Sequence, residues 1–307
     1  MPAASLRALL AHSIDYAGMF PPCNLALEPA LQNYAKYIRE SDAWMLSNFI
    51  LPTGQFAAAS SAVAQFDRKH PLRGSALGPK IETVTAFRPA FQEAIETIRK
   101  FSAEHAGVVS IDQFEMLLPV DVDLALLTEA AAIFGEMKVH VFWEAQADTA
   151  EQAIALLAQH NSKKENARAF GYKLRTGGVT ADAFPSAAQI SGALTAAAED
   201  RVPIKFTAGL HHPLRQFRDE VKAKMHGFLN VLGAGVLAAE HDWDKGQISR
   251  MLEDEDANSF SFDETIFAWR EWEIATDRIH ARRKLVTSFG SCSFDEPRED
   301  LHALGLL

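Results

Sequence analysis

The sequence predicts an α/β protein, a (β/α)8 TIM barrel with a helical C-terminal appendage. Three observations carry this. Short apolar, β-rich runs alternate with Ala-, Leu- and Glu-rich stretches of helical period, the signature of parallel strands with crossover helices. Eight such runs fall between Ser13 and Leu232, which suits a closed barrel better than an open doubly wound sheet. The ends of several runs are unusually polar, and barrels carry their catalytic groups at the C-terminal ends of strands.

The strand candidates are, in order, Ser13–Tyr16, Trp44–Leu51, Gly74–Gly78, Phe114–Leu118, Lys138–Trp143, Gly171–Leu174, Ile204–Thr207 and Phe228–Leu232. Helices are expected at Leu27–Arg39, Pro89–Glu104, Val122–Phe134, Thr149–Gln159, Pro185–Asp200 and Pro213–Met225, with start signals at Asp148-Thr149 and Pro185-Ser186. Residues 1–240 are assigned to the barrel and 241–307 to an appendage packed on it. The appendage is expected to be two helices bearing Trp243, Trp269 and Trp272, with the last two at helical spacing in its core.

Composition narrows the function classes. The 307 residues are 48% hydrophobic and 23% charged, ordinary globular usage with enough apolar surface for a large core. The formal net charge of −10 argues against a nucleic-acid binder. The one dense basic run, Arg278 to Lys284, reads as a solvated helix end. No apolar run approaches the roughly 20 residues that span a bilayer, and Met1 to His12 lacks a secretory pattern, so a cytoplasmic protein with no membrane partner is expected. Cys23 and Cys292 are too few for a disulfide framework and are expected as reduced thiols, with Cys292 a small buried hydrophobe.

The chemistry is expected on two adjacent strands. In Tyr172-Lys173-Leu174-Arg175-Thr176-Gly177-Gly178, alternation puts Lys173 and Arg175 on the face opposite Tyr172 and Leu174; in Ile204-Lys205-Phe206-Thr207-Ala208-Gly209 it pairs Lys205 with Thr207. Two lysines then project into one cavity. An ammonium removed from water must be partnered or lose its proton, and a second cation nearby lowers a lysine's pKa toward the neutral amine that Schiff-base chemistry needs. The competing reading has the lysines paired with carboxylates and merely tying strands together. Arg175 offers a fork-shaped donor for a carboxylate or phosphate, and Gly233-Ala234-Gly235, read as a turn after the last strand, offers backbone N–H groups to an anion. His211 and His212 lie just beyond a strand end, placed for acid–base work or for holding a loop.

These runs resemble the deoxyribose-phosphate aldolases, class I Schiff-base barrel enzymes. Lys173-Leu174-Arg175-Thr176-Gly177 matches the family's Lys-x-x-Thr-Gly run on the sixth strand, and Lys205 through Gly209 partly matches its Lys-x-x-Gly-Gly run on the seventh, the lysines standing 32 positions apart, close to the family separation. Ile14-Asp15-Tyr16 with Pro21 is similar to the family's opening Ile-Asp-His, Lys138-Val139 through Glu144 to its Lys-Val-Ile-(Ile/Leu)-Glu strand, and Glu115-Met116-Leu117-Leu118 to its Asp-Met-Val-Ile strand. The resemblance spans roughly Ile14 to Gly235. It implies Lys173 as nucleophile, Lys205 as the group that depresses its pKa, and Glu115 as the proton carrier. Glu115 replaces an aspartate, Leu210 replaces the second glycine of the seventh-strand run, and the family's Ser-rich phosphate turn is replaced by Leu232-Gly233-Ala234-Gly235.

The sequence-level reading is therefore a metal- and cofactor-independent carbon–carbon lyase. Its catalytic residues are Lys173, Lys205 and Glu115. A small anionic aldehyde or ketone, with a sugar phosphate among the candidates, is bound by Asp15, Glu144, Arg175, Thr176, Gly177, Gly178, Thr207, Gly209, His211, His212, Gly233 and Gly235. A homodimer is compatible with such a barrel. Two other readings stand: a divalent-metal isomerase or hydrolase using Glu144, His140 or His211, with Glu115 able to complete a site with His140 and Glu144, and a non-catalytic barrel that binds a partner through the appendage.

Overall fold

A computed structural model describes residues 1–81, 83–163 and 168–307. Eight parallel strands close into a barrel. In chain order the strands are β1 (Ile14–Tyr16), β2 (Leu46–Pro52), β3 (Leu72–Leu77), β4 (Val109–Leu117), β5 (His140–Ala145), β6 (Phe170–Arg175), β7 (Ile204–Thr207), β8 (Gln216–Arg218), β9 (Ala223–Met225), β10 (Phe260–Phe262), β11 (Ile266–Trp269), β12 (Trp272–Ala275) and β13 (Val286–Ser291). The barrel runs β1 through β7 and is closed by β13, which pairs in parallel with both β7 and β1.

The helices are α1 (Ala4–Leu10), α2 (Leu27–Tyr37), α3 (Phe56–Ala59), α4 (Val84–Glu104), α5 (Leu124–Phe134), α6 (Ala150–Asn161), α7 (Ala187–Asp200), α8 (Phe228–His241), α9 (Lys245–Leu252), α10 (Thr276–Arg282) and α11 (Asp295–Ala303). Local chemistry sets several starts. The Ser186 side chain caps α7 in a reciprocal box with Gln189, Asp244 and Gln247 do the same for α9, and Asp123 caps α5 through the Leu126 N–H. Outward-facing Phe114, Trp143 and Phe170 pack with Phe87, Phe91 and Phe134 of the helices, ring centroids 5.2 to 6.4 Å apart, to fill the space between sheet and helix layer. None of the helices in the described residues is long and apolar enough to cross a membrane.

The eighth strand is not where the sequence placed it. Phe228–Leu232 is the start of α8, whose residues from Phe228 to Ala238 are all buried. A helix buried on every side loses the 3.6-residue polarity pattern and reads as an apolar run, so periodicity alone does not separate it from a strand. α8 is the crossover after β7, and the closing strand comes from Val286–Ser291. The segment after residue 240 is therefore neither purely helical nor an addition to a finished barrel: it carries α9, a three-stranded sheet of order β10-β11-β12, α10, β13 and α11.

Two smaller expectations change for related reasons. Pro213–Met225 forms an antiparallel hairpin, β8 with β9, turning near Lys222 at φ 53°. Trp269 and Trp272 face each other across a two-residue hairpin turn, with Arg270 at φ 52°. An i,i+3 spacing serves one helix face and a tight hairpin equally well. Both tryptophans do pack on Trp243, with centroids 5.6 and 5.3 Å away.

Gly233 and Gly235 lie inside α8, not in a turn. A Cβ on Gly235 would fall 2.6 Å from Val286 Cγ2, and one on Gly233 would fall 2.5 Å from Met251 Cε. These glycines let the helix approach the closing strand and α9, and they face no ligand. Gly→Ala inside a helix ordinarily stabilises by about 0.5–1 kcal/mol. Gly235→Ala is expected to reverse that sign and cost about 1–3 kcal/mol by overpacking, as measured by urea denaturation. A chain ended after Glu240 lacks β13, and its far-UV dichroism should show no cooperative unfolding transition.

Candidate functional site

Inside the barrel, where aliphatic side chains usually fill the layers, this chain places charge. Lys205 on β7 is fully buried, and its ammonium donates to Asp15 Oδ2 of β1 at 2.8 Å, Glu115 Oε1 of β4 at 2.5 Å and Gln113 Oε1 at 2.7 Å. Its Nζ also lies 5.4 Å from the centroid of the Phe142 ring. Lys173, beside it in register on β6, donates to Glu115 Oε2 at 2.7 Å and Glu144 Oε2 of β5 at 2.9 Å. Glu115 is thus clamped between the two lysines, with Ser75 donating a third hydrogen bond at 2.6 Å. Asp15 is held by Ser288 of β13 at 2.6 Å and by the backbone and side-chain nitrogens of Asn48.

The electrostatics follow from this bridge. Burial opposes ionisation of Glu115, but Lys173 and Lys205 outweigh it and hold the carboxyl far below the usual range. Burial likewise opposes the charge on Lys173, yet Glu115 and Glu144 outweigh it and hold the ammonium above the ordinary lysine value. The expectation that Lys205 depresses Lys173 is corrected: a carboxylate stands between the two cations, and opposite charge at hydrogen-bond distance dominates.

The lysines differ in access. A cavity of about 480 Å³ opens above the charged layer, lined by Lys173, Glu144, Glu115, Arg175, Thr207 and His211 among others. Lys205 and Asp15 lie below it and anchor Glu115, so Asp15 holds a lysine and does not face a ligand. A larger cavity of about 710 Å³ lies at the opposite end of the barrel, among the ends of α7, α8 and α10, and contains neither lysine.

The other expected residues divide the same way. Arg175 is half exposed at the rim, with Nε 3.4 Å from Glu144 Oε1. Thr176 turns away and donates to the Ala208 carbonyl at 2.6 Å, tying the ends of β6 and β7. Gly209, at φ 76°, meets Gly177 backbone to backbone, a Cβ on either falling 2.8 Å from the other's Cα, while Gly178 lines the cavity.

His211 lines the cavity with its Nδ1 donating to Glu296 Oε2 of α11 at 3.0 Å. His212 pairs with Asp300 at 2.6 Å and faces a separate cavity of about 290 Å³. The carboxylate partners of both histidines come from α11, a segment the sequence reading left without a role. Asn48, Ser75, Gln113 and Ser288, the neutral members of the charged layer, were also missed. Period-2 alternation from Glu115 would have found Gln113 on the same strand; Asn48, Ser75 and Ser288 lie on strands with no charged inward marker.

His140 starts β5 and is exposed, while Glu144 stands four residues on. At about 3.3 Å per residue the two are separated by some 13 Å along the strand and cannot share a metal ion. Among the described residues, no group of three or more His, Cys, Asp or Glu side chains is arranged to hold a metal.

The clamp makes a pH prediction. The unfolded chain binds a proton at Glu115 near pH 4.3, and the folded chain binds it only well below that. The stabilisation is complete above about pH 4.3 and is lost as pH falls toward the folded value. Lys173 gives the mirror image: its contribution is complete below about pH 10.4 and is lost as pH rises through its raised folded value. Glu115→Gln should cost about 3–5 kcal/mol at neutral pH by stranding buried ammonium charge. Urea titrations of this variant below about pH 5 should show a flatter acid limb than wild type.

No protein-family model matches the chain. No curated protein sequence matches it either. Among solved structures it is similar to the tryptophan synthase alpha subunit from Legionella pneumophila str. Paris, with 11% identity, 82% of this chain and 96% of that chain covered, and a TM-score of 0.36. A likeness that distant says nothing about chemistry, and the barrel rests on its own closed strand order.

Proposed function

We propose that the chain is a class I, Schiff-base carbon–carbon lyase of the kind suggested by its resemblance to the deoxyribose-phosphate aldolases, acting on a small carbonyl compound with one anionic group. The observation that carries the reading is Lys173: a nearly buried amine whose Nζ sits on a cavity floor between two carboxylates. A lysine serving only to tie strands has no need of a cavity above it.

In this reading the Lys173 amine attacks the substrate carbonyl once its proton has passed to a carboxylate. The resemblance implies Glu115 for that role, but the geometry favours Glu144. Glu115 accepts from two ammonium groups and a hydroxyl and is held strongly ionised, which makes it a poor proton acceptor. Glu144 has one strong partner, faces the cavity and reaches Lys173 at 2.9 Å. It is placed to take the ammonium proton and return it to the departing hydroxyl as the carbinolamine dehydrates, which leaves it ionised; the proton delivered to the enamine after cleavage is the one His211 takes from the substrate's hydroxyl.

Cleavage also needs a base on the substrate's β-hydroxyl. Glu296, ionised and held below the ordinary carboxylate range first by its hydrogen bond with His211, requires the His211 proton on Nδ1. That leaves the Nε2 lone pair to take the hydroxyl proton as the carbon–carbon bond breaks. Arg175 at the rim is the donor for the anionic group. With Gly233 and Gly235 inside a helix, no glycine turn serves a phosphate there, so a carboxylate suits the site at least as well.

The test is borohydride trapping with a panel of small aldehydes, keto acids and sugar phosphates, followed by peptide mapping. The expected result is a reduced adduct on Lys173 with at least one compound, absent in Lys173→Ala. An adduct on another lysine, or none with any compound, would overturn the assignment. Glu144→Gln should keep wild-type stability and lower the trapping rate about 10²- to 10⁴-fold, whereas Glu115→Gln should act chiefly through stability.

A further inference from the structure

Cys23 and Cys292 stand 269 positions apart in the chain, yet their sulfur atoms are 3.0 Å apart. This is about 1 Å beyond the ~2.05 Å of a disulfide bond. Cys23 is exposed in the connection between β1 and α2, and Cys292 is buried immediately after β13. Both segments form one wall of the cavity above Lys173, with Ala17, Phe20 and Pro21 from the connection and Gly290 and Cys292 from the strand end. A small hydrophobic role for Cys292 explains its burial but not a second thiol placed against it from the opposite end of the chain.

We propose that Cys23 and Cys292 are an oxidisable dithiol that closes to a disulfide, tying the β1–α2 connection to the end of β13 across the wall of the cavity. The oxidant is a low-molecular-weight disulfide. The exposed Cys23 thiolate attacks one of its sulfurs, expels the first small thiol and becomes a mixed disulfide. Cys292 then gives up its proton and attacks Cys23 Sγ, expelling the second small thiol. Two electrons and two protons pass from the cysteine pair to the oxidant. Burial, with Cys23 beside it, pushes the Cys292 thiol up to about 12, which fixes the order: the exposed sulfur reacts first and the buried one resolves.

The experiment is incubation of the full chain with oxidised glutathione, read by intact mass, non-reducing peptide mapping and amide hydrogen exchange, none of which depends on chemistry at Lys173. The expected result is a mass lower by two hydrogens, one linked peptide pair joining Cys23 to Cys292, and full reversal by reductant. Cys292→Ser should stop at a glutathione adduct on Cys23, and Cys23→Ser should take no adduct. In the oxidised wild type, exchange across residues 17–26 should slow and the melting temperature should rise, with neither change in the Cys23→Ser variant. A wild type that stops at the mixed disulfide, a linked pair with any other partner, or a disulfide that leaves exchange at residues 17–26 unchanged would each overturn the proposal.

Discussion

Five ionisable groups share the interior of this barrel, and the arrangement works only because Glu115 touches both lysines. Removing a charge from water costs several kcal/mol even after relaxation, so each buried ion needs a partner at hydrogen-bond distance and its remaining valences filled. Asp15, Glu115 and Glu144 supply the partners, while Ser75, Asn48, Gln113 and Ser288 fill the valences. With the two lysines, these groups come from all eight barrel strands, β1 to β7 and β13. The constraint therefore specifies the register of the whole cylinder. Slipping one strand by a single residue would turn its inward polar group out among the helices.

The same layer separates two lysines that look alike in sequence. Lys173 and Lys205 occupy matching positions on neighbouring strands, but one ends at the cavity and the other beneath it. Full burial makes Lys205 an anchor whose worth lies in fixing Glu115. A small residual exposure places Lys173 on the cavity floor, where Glu115 and Glu144 hold its charge. In the proposed Schiff-base reading, a raised resting pKa of Lys173 is compatible with attack by a neutral amine because the proton's acceptor is already hydrogen-bonded to it.

Much of this was legible beforehand. Strand alternation placed Lys173, Arg175, Lys205 and Thr207 inside, and seven of the barrel strands fell close to their expected positions, because half-polar inner faces leave a visible period of two. Legibility failed where burial was complete on all sides. α8 carries no polar face, so its Phe228–Leu232 stretch passed for a strand, and Gly233 and Gly235 passed for an anion cup. It failed again where partners are far apart in the chain: nothing in the local sequence around His211 points to Glu296, or around Cys23 to Cys292.

The closing strand has a consequence for how the site comes into being. Because β13 lies between β1 and β7, the cylinder stays open until the chain has been made as far as Ser291, and its last contacts join residues more than 270 positions apart, such as Ile14 with Phe289. Contacts of such long range form late and slowly. Ser288 joins Asn48 in orienting Asp15, and Asp15 joins Glu115 in neutralising Lys205, so the ionic lattice is completed only with that final docking. A nascent chain arrested short of β13 would hold its two lysines in a wet, open trough. Assembly of the charged layer and completion of the fold are therefore the same event.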